Sequence, residues 1–413
     1  MTTGQTEGAF KKRLVMFLRH NNDVDHLTPV IDRWSEDPES EAIIVGYTDA
    51  IDLLDFRLVF LEKKENVSVF RIDDVIKDVA SVLGRVGEDV CTALELMQYL
   101  APADFPTVVA FDYVSSGLVE KYLKAAKSIG VKTISLPHGD DPYVNFMITK
   151  DDLNFSGLRT SKIEPPFDVF VSPSKIIARR ADRSWEYKHK VLGSPRFCGE
   201  WLEKLEKILP KKHNLPDRES LKLVFFLRNA KYSVFWEEFN RLLKMILNFN
   251  NIDLIIASHP REYIREVNDV LEAEKNPLPS TEDLGKVSKS SNLLYISPNK
   301  IHSSELISWS DAVLSLGSSV VYEAVCRSKP VFEIEYLHPN STVVANIFKN
   351  SNIQSRDDIY RRVSELLQNK DYKKNFYSEQ EMARFRGLCI DLGEPRVLDR
   401  YNDLLTELAN MRE

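Results

Sequence analysis

Short apolar runs alternate with segments of helical periodicity along the whole chain. In the first half, the apolar runs that predict strands lie at 13–18, 42–47, 57–61, 68–72, 107–113, 132–137 and 168–173. Helical periodicity falls between some of these runs, at 72–84, 90–101 and 116–129. Strands that alternate with helices in this way predict α/β units built around a parallel sheet.

The pattern is interrupted at 208–220, where two prolines and a lysine pair stand in a stretch without periodicity. Beyond it the predicted strands are 221–227, 252–258, 292–297, 311–317 and 330–337, and the predicted helices are 233–248, 261–273, 303–309, 319–327, 356–369 and 393–411. We therefore predict an N-terminal domain over 1–207, a linker over 208–220, a C-terminal domain over 221–390 and a C-terminal helix over 391–413. The expected architecture is two doubly wound, Rossmann-like domains that face each other across a cleft.

Charge and cysteine usage exclude several classes of protein. Lys and Arg total 55 and Asp and Glu total 62, a formal net charge of −7, which argues against a nucleic-acid binder. The 4 cysteines form no CxxC pair, so a zinc ribbon or disulfide framework is not expected, and a reducing compartment is favoured.

No run approaches the roughly 20 apolar residues that span a bilayer, and we predict a cytoplasmic protein. Lysines in 121–127 and 211–212 leave open a peripheral contact with an anionic membrane.

Common cofactor and catalytic motifs are absent from the sequence. It contains no GxGxxG, no Walker-type GxxxxGKS or GxxxxGKT, no GxSxG and no HExxH. Asp23 and Asp25 have the spacing of a DxD metal motif, but they follow the first predicted strand, where an aspartate commonly caps a helix. We therefore predict neither a metal nor a cofactor.

The loop after the strand at 311–317 carries the strongest functional signal. Gly317, Ser318 and Ser319 follow this strand and precede an apolar helix that carries Glu323. Backbone N–H groups, two hydroxyls and a helix N-terminus at one place suit a phosphate. The Glu323 carboxylate could accept hydrogen bonds from ribose hydroxyls. The alternative is that Ser318 is an ordinary N-cap and Glu323 a solvated residue.

A second signal of the same kind follows the strand at 252–258. His259 and Pro260 begin the next predicted helix, and Arg261 comes directly after them. An imidazole and a guanidinium at this edge of the sheet could both donate to phosphate oxygens, although His259 could equally be a plain helix cap. Arg228 follows the first strand of the second half and is a further candidate for the nucleotide site.

Candidates in the first half also follow strands. His138, Asp140 and Asp141 follow the strand at 132–137 and offer an imidazole and two carboxylates for general base catalysis. The alternative is an Asp-Asp-Pro turn beside a solvated histidine. After the first strand come Arg19, Asn22 and Asp23, which we assign to the acceptor side of the predicted cleft.

The His-Pro pair at 259–260 and the Ser-Ser pair at 318–319 resemble the HP and S/SS motifs of GT-B glycosyltransferases. Families with these motifs include bacterial sialyltransferases, Kdo transferases of capsule export and CDP-glycerol glycerophosphotransferases. The pattern Glu323-Ala324 followed by Lys329-Pro330 is also similar to the nucleotide-binding helix of non-hydrolysing UDP-N-acetylglucosamine 2-epimerases. The motif-level resemblance covers about 250–335, and the fold-level resemblance most of the chain.

This resemblance implies a GT-B fold and a metal-independent glycosyltransferase of capsule, surface polysaccharide or glycoconjugate synthesis. His259, Ser318 and Ser319 would contact the phosphate of a nucleotide-activated sugar donor carrying cytidine, and His138 or Asp140 would take a proton from a glycan or lipid-linked acceptor. Three alternatives stay open: a CDP-glycerol-type glycerophosphotransferase, a UDP-sugar 2-epimerase-like isomerase, and a non-catalytic nucleotide-sugar-binding protein.

Overall fold

A computed structural model of the chain describes residues 10–85, 91–112, 117–137, 139–145, 165–179, 183–210, 213–228, 234–258, 291–296, 300–369 and 371–411. The chain divides into two compact units. The first consists of Met1–Asp140, Thr160–Ile208 and Arg386–Glu413, and the second of Asp141–Arg159 and Leu209–Phe385. Among the described residues, no helix is both long and apolar enough to cross a membrane.

The first unit is built on a parallel sheet of seven strands in the order β3-β2-β1-β4-β5-β6-β7. The strands are β1 Lys12–Leu18, β2 Ser40–Gly46, β3 Val67–Arg71, β4 Thr107–Asp112, β5 Lys132–Leu136, β6 Val169–Ser172 and β7 His189–Val191. Because β1 pairs with β2 on one side and β4 on the other, the strand order reverses between β1 and β4. Ligands of such sheets bind at the carboxyl ends of the strands beside this reversal.

Helices cover the first sheet. They are α1 Asn21–Trp34, α2 Phe56–Glu62, α3 Ile72–Val82, α4 Ala93–Leu100, α5 Gly117–Ser128, α6 Lys175–Ala178 and α7 Gly199–Ile208. On one face of the sheet the rings of Phe17 in β1 and Phe111 in β4 stack at 5.0 Å, and both side chains are fully buried. This core fixes the ends of β1 and β4 against each other.

The second unit has a parallel sheet of six described strands in the order β10-β9-β8-β11-β12-β13. The strands are β8 Leu221–Phe226, β9 Ile252–Ala257, β10 Asn292–Ile296, β11 Ala312–Ser315, β12 Val331–Ile334 and β13 Asn352–Ile353. The described helices are α8 Trp236–Leu247, α9 Ser303–Trp309, α10 Val321–Cys326, α11 Val343–Ile347, α12 Arg356–Gln368 and α13 Glu379–Phe385. Here the strand order reverses between β8 and β11.

Two segments are assigned differently from the predicted domains. Residues 141–159 cluster with the second unit and residues 386–413 with the first. The last helix, α14 Val397–Asn410, packs on α1 and β4. A hydrogen bond also joins this helix to α1, because Arg33 Nε donates to Asp399 Oδ1 at 2.8 Å.

The strand predicted at 57–61 is wrong, because this segment is helix α2. The Asp55 carboxylate accepts the backbone N–H of Arg57 and caps the helix, and Leu58 and Leu61, three residues apart, are both buried. The polar stretch that follows β1 is the first turn of α1, which begins at Asn21.

Candidate functional site

The turn Gly317–Ser319, called the Gly317 turn below, follows β11 at the strand-order reversal of the second unit. Gly317 has φ +83°, a conformation that residues with a Cβ rarely adopt. A Cβ at this position would lie 2.5 Å from Cε1 and 2.6 Å from the hydroxyl oxygen of Tyr143. The Tyr143 hydroxyl also donates a hydrogen bond to the Gly317 carbonyl at 2.7 Å. The turn therefore requires glycine for its conformation and for the close approach of the tyrosine ring.

The backbone donors of the turn are distributed differently from the prediction. The Gly317 N–H donates to Ser315 Oγ at 3.0 Å and to Glu333 Oε2 at 3.1 Å, and the Ser318 N–H donates to Ser315 Oγ at 3.0 Å. These two groups are used inside the protein, so they do not form the phosphate cradle expected from the sequence. The backbone N–H groups of Ser319 and Val320 and the hydroxyls of Ser318 and Ser319 have no partner among the described residues.

Glu323 lies in α10 and is only 1% exposed. Its Oε2 accepts from the Ser304 hydroxyl at 2.7 Å, and its Oε1 accepts from Arg327 Nε at 2.9 Å. A ribose would have to share these oxygens with the two internal donors. Helix α10 has six residues, so its dipole adds less to the turn than a long helix would.

Buried ionisable groups surround the same turn. Glu333 in β12 is fully buried, and burial, reinforced by the charge of Glu335, raises its pKa to about 8. Arg228, just after β8, is 2% exposed, and its guanidinium carbon lies 5.5 Å from the centroid of the Tyr143 ring. Burial and the nearby positive charge of Arg228 lower the pKa of His338 to about 3. Near neutral pH the arginine is therefore the charged group of this set.

In the first unit, a second polar cluster lies at the ends of β1 and β4. Asp112 ends β4, is fully buried, and lies with its Oδ2 2.9 Å from Arg19 Nη2. The Tyr47 hydroxyl donates to Asp112 Oδ1 at 3.3 Å. Burial raises the pKa of Asp112, while Arg19 acts to lower it. A carboxylate, a guanidinium and a phenol thus meet at the strand-order reversal of this sheet.

Asp23 belongs to the same cluster and caps α1. Its Oδ2 accepts the backbone N–H groups of Arg19 at 2.7 Å and His20 at 2.8 Å. Burial, and then the charge of Asp112, raise its pKa to about 7. The other half of the DxD spacing, Asp25, pairs with arginines instead. In the described parts of the chain, no group of His, Cys, Asp and Glu side chains is arranged to hold a metal.

The boundary between the two compact units falls between Asp140 and Asp141. Asp140 is buried in the first unit, its Oδ2 accepts from the Ser194 hydroxyl at 2.8 Å, and His26 Nδ1 lies 3.9 Å from the same oxygen. Burial raises the pKa of Asp140 to about 7. Asp141 clusters with the second unit, where its carboxylate accepts the Tyr143 N–H at 2.9 Å and its carbonyl accepts from the Tyr322 hydroxyl at 3.1 Å. Asp141 therefore holds the Tyr143 segment in place, and its role as a base stays a prediction.

The remaining candidates are only partly placed. Asn22 is half-buried in the first turn of α1. The positions outside the described residues are His138, His259, Pro260 and Arg261. Their assignments stay predictions.

Sequence reasoning missed three residues of these clusters. Asp112 is a carboxylate at the end of an apolar run, which is a signal that could have identified it. Glu333 is a lone acid inside a predicted strand and gave a weaker signal. Nothing local marks Tyr143, because its partner Gly317 lies 174 positions away.

No protein-family model matches the sequence, and no curated protein matches it by sequence. Solved structures match nearly the whole chain. UDP-GlcNAc 2-epimerase from Neisseria meningitidis, bound to UDP-GlcNAc, is 13% identical with a TM-score of 0.54, and the match covers 96% of this chain and 98% of that one. A glycosyltransferase from Rickettsia africae ESF-5 is 13% identical with a TM-score of 0.53, covering 97% and 99%.

A third similar structure, S. aureus MnaA with UDP, is 11% identical with a TM-score of 0.52, covering 91% of this chain and 94% of that one. At such identities the likeness is one of fold. The chain has a two-domain α/β, Rossmann-like fold of the GT-B kind, as the sequence predicted.

Proposed function

We propose that this protein is a glycosyltransferase that acts on a nucleotide-activated sugar and holds the donor phosphate at the Gly317 turn. The observation that carries the proposal is the set of open donors at this turn: the N–H groups of Ser319 and Val320 and the hydroxyls of Ser318 and Ser319. They stand at the carboxyl end of β11, where doubly wound sheets bind nucleotides. The buried cation Arg228 adds positive charge in the same unit.

In this proposal the turn stabilises the negative charge that develops on the phosphate when the bond to the sugar breaks. Donors that are already oriented stabilise such charge without reorganising. Gly317 is fixed at both of its polar groups, by Tyr143 at the carbonyl and by Ser315 and Glu333 at the amide. The turn is therefore pre-organised, and the proposal needs no metal.

The first unit supplies the general base in this proposal. Asp140 has a pKa of about 7 and is hydrogen-bonded by Ser194, so its charged and neutral forms are both populated near neutral pH. In this proposal its charged form takes a proton from an acceptor hydroxyl. His138 remains the predicted alternative, and Arg19, Asn22 and Asp23 remain the predicted acceptor side.

Two observations bear on the nucleobase of the donor, and they point to different nucleobases. The HP and S/SS resemblance predicts cytidine, whereas two of the similar structures contain UDP or UDP-GlcNAc. A thermal-shift screen of CMP, CDP, UDP, GDP and ADP separates them, because a ligand that binds only the folded protein raises the Tm. A shift with CMP or CDP supports the cytidine donor, and a shift with UDP alone replaces it by a uridine donor. No shift with any nucleotide would contradict the proposal.

A second candidate function is a UDP-sugar 2-epimerase. The observation that favours it is that the first unit contains two buried carboxyl groups, Asp23 and Asp140, whose pKa values burial raises to about 7, so that each could give or take a proton near neutral pH. Incubation of the protein with UDP-GlcNAc in D₂O, without acceptor, distinguishes the two functions. An epimerase incorporates deuterium at the sugar C2, whereas a transferase leaves C2 unlabelled and requires an acceptor for turnover.

A further inference from the structure

The Glu333 side chain lies inside the second sheet, directly beneath the Gly317 turn. Glu333 pairs in register with Ser315 of the neighbouring strand β11 and has no solvent-exposed surface. Its Oε2 accepts the Gly317 N–H at 3.1 Å, and its Oε1 has no hydrogen-bond partner among the described residues. A charged carboxylate with an unpaired buried oxygen costs more free energy than the neutral, protonated carboxyl group at the same place.

The charged and titratable groups around Glu333 determine how strongly it holds a proton. Glu335, two residues further along the chain, disfavours ionisation, and Arg228 favours it. Tyr377 also lies within electrostatic range of Glu333. Burial is the largest influence and, with Glu335, outweighs the hydrogen bonds from the Gly317 N–H and the Ser315 side chain and the charge of Arg228, which all favour the charged form. The neutral form of Glu333 therefore predominates at pH 7.

We propose that Glu333 is a positioning residue that must carry its proton for the Gly317 turn to bind a nucleotide phosphate. This inference rests on the proposed function. As a neutral acid, Glu333 fixes the Gly317 amide through Oε2 and adds no charge. When it loses the proton, a full negative charge stands one hydrogen bond away from a turn that must accept an anion, and little water lies between to screen it. Phosphate binding at the Gly317 turn and ionisation of Glu333 then exclude each other.

The experiment measures the Kd of CDP and of UDP by calorimetry at pH 7, 8 and 9, for the wild type and for Glu333→Gln. Nucleotide phosphates have their last pKa near 6, so their charge is constant over this range. With a pKa of about 8 for Glu333, exclusive binding to the neutral form raises the Kd of the wild type about tenfold between pH 7 and pH 9. Glutamine keeps the oxygen that accepts the Gly317 N–H and cannot ionise, so the Kd of the variant stays flat.

Glu335→Gln is the matched control. Its side chain accepts the backbone N–H of Thr342 at 3.1 Å, a bond that glutamine can keep. Removing this negative charge lowers the pKa of Glu333, so the Kd begins to rise at lower pH and increases more between pH 7 and pH 9 than it does in the wild type. A purely structural role for Glu333 would weaken binding at every pH and would leave the profile of Glu335→Gln identical to that of the wild type.

A measurement without nucleotide separates this inference from the proposed function. Between pH 5 and pH 8 the folded wild type holds a proton that the unfolded chain has released, so its Tm falls relative to that of Glu333→Gln as the pH rises. If neither nucleotide binds at any pH, the proposed function is wrong and the inference falls with it, whatever the Tm shows. If a nucleotide binds and wild type and Glu333→Gln share one pH profile, only the inference is overturned.

Discussion

Replacing Gly317 by alanine tests the geometry of the turn at the centre of this account. The added Cβ meets two separate obstacles. The backbone has φ +83°, and the Tyr143 ring occupies the space with atoms at 2.5 to 2.8 Å. Because Tyr143 is 2% exposed and its hydroxyl is bonded to the Gly317 carbonyl, the ring cannot move without losing that bond.

The expected cost is the sum of three contributions. A left-handed conformation costs an alanine about 1 kcal/mol. Displacing a packed ring costs about 1 to 3 kcal/mol, and losing the Tyr143 hydrogen bond costs about 1 kcal/mol. We therefore expect Gly317→Ala to destabilise the second unit by about 3 to 5 kcal/mol and to weaken nucleotide binding.

Gly84→Ala is the matched control for this substitution. Gly84 has φ +68°, but nothing lies within 4 Å of its virtual Cβ, so the variant should lose only about 1 kcal/mol in the first unit. Urea unfolding followed by hydrogen-exchange mass spectrometry measures both, with peptides from β11 and β4 reporting the two units separately. If Gly317→Ala costs no more than Gly84→Ala, the close approach of Tyr143 is not a constraint and the reasoning is refuted.

Three further variants test other parts of the structure. Because the pKa of Asp23 is raised, the folded protein keeps a proton that the unfolded chain loses above pH 4. The Tm of Asp23→Asn should therefore rise relative to that of the wild type from pH 4 to pH 7. Parallel pH profiles of the two Tm values would contradict the raised pKa. Ser194→Ala removes the donor to Asp140, which should raise the pKa of Asp140 and cost about 1 kcal/mol in urea unfolding; an unchanged midpoint would exclude a strong bond. Leu242 in α8 is fully buried, so Leu242→Ala should lower the free energy of unfolding by about 2 to 5 kcal/mol. Hydrogen exchange should become faster in β8 and stay unchanged in β4; equal effects in both strands would show that the units do not unfold separately.

The sequence predicts the strands well, because strands buried on both faces of a parallel sheet are continuous apolar runs. The same rule fails at 57–61, since a five-residue apolar run is equally consistent with a short helix. The segment forms a helix because the Asp55 side chain, two residues before Arg57, caps its N-terminus. At α1 the sequence signal is Asp23, an aspartate after the first strand, and it caps the helix as such aspartates commonly do.

The position of the Gly317 turn follows from the sequence, whereas the direction of its amides does not. A glycine at the end of an apolar run, followed by two serines, identifies the turn. Ser315 and Glu333 accept the N–H groups of Gly317 and Ser318. Both residues lie inside predicted strands, where side chains are expected to belong to the core. Only the register of β11 against β12 shows that they face the turn.

The most direct test of the central claim is calorimetric titration of CDP and UDP into the wild type and into the double variant Ser318→Ala/Ser319→Ala. Removing both hydroxyls should weaken binding at least tenfold, because each hydrogen bond to a charged phosphate contributes about 1.5 kcal/mol or more. The double variant Ser318→Thr/Ser319→Thr keeps both hydroxyls and should retain most of the affinity. If a nucleotide binds the wild type and the alanine variant with the same Kd, the Gly317 turn is not the phosphate site and the account is contradicted.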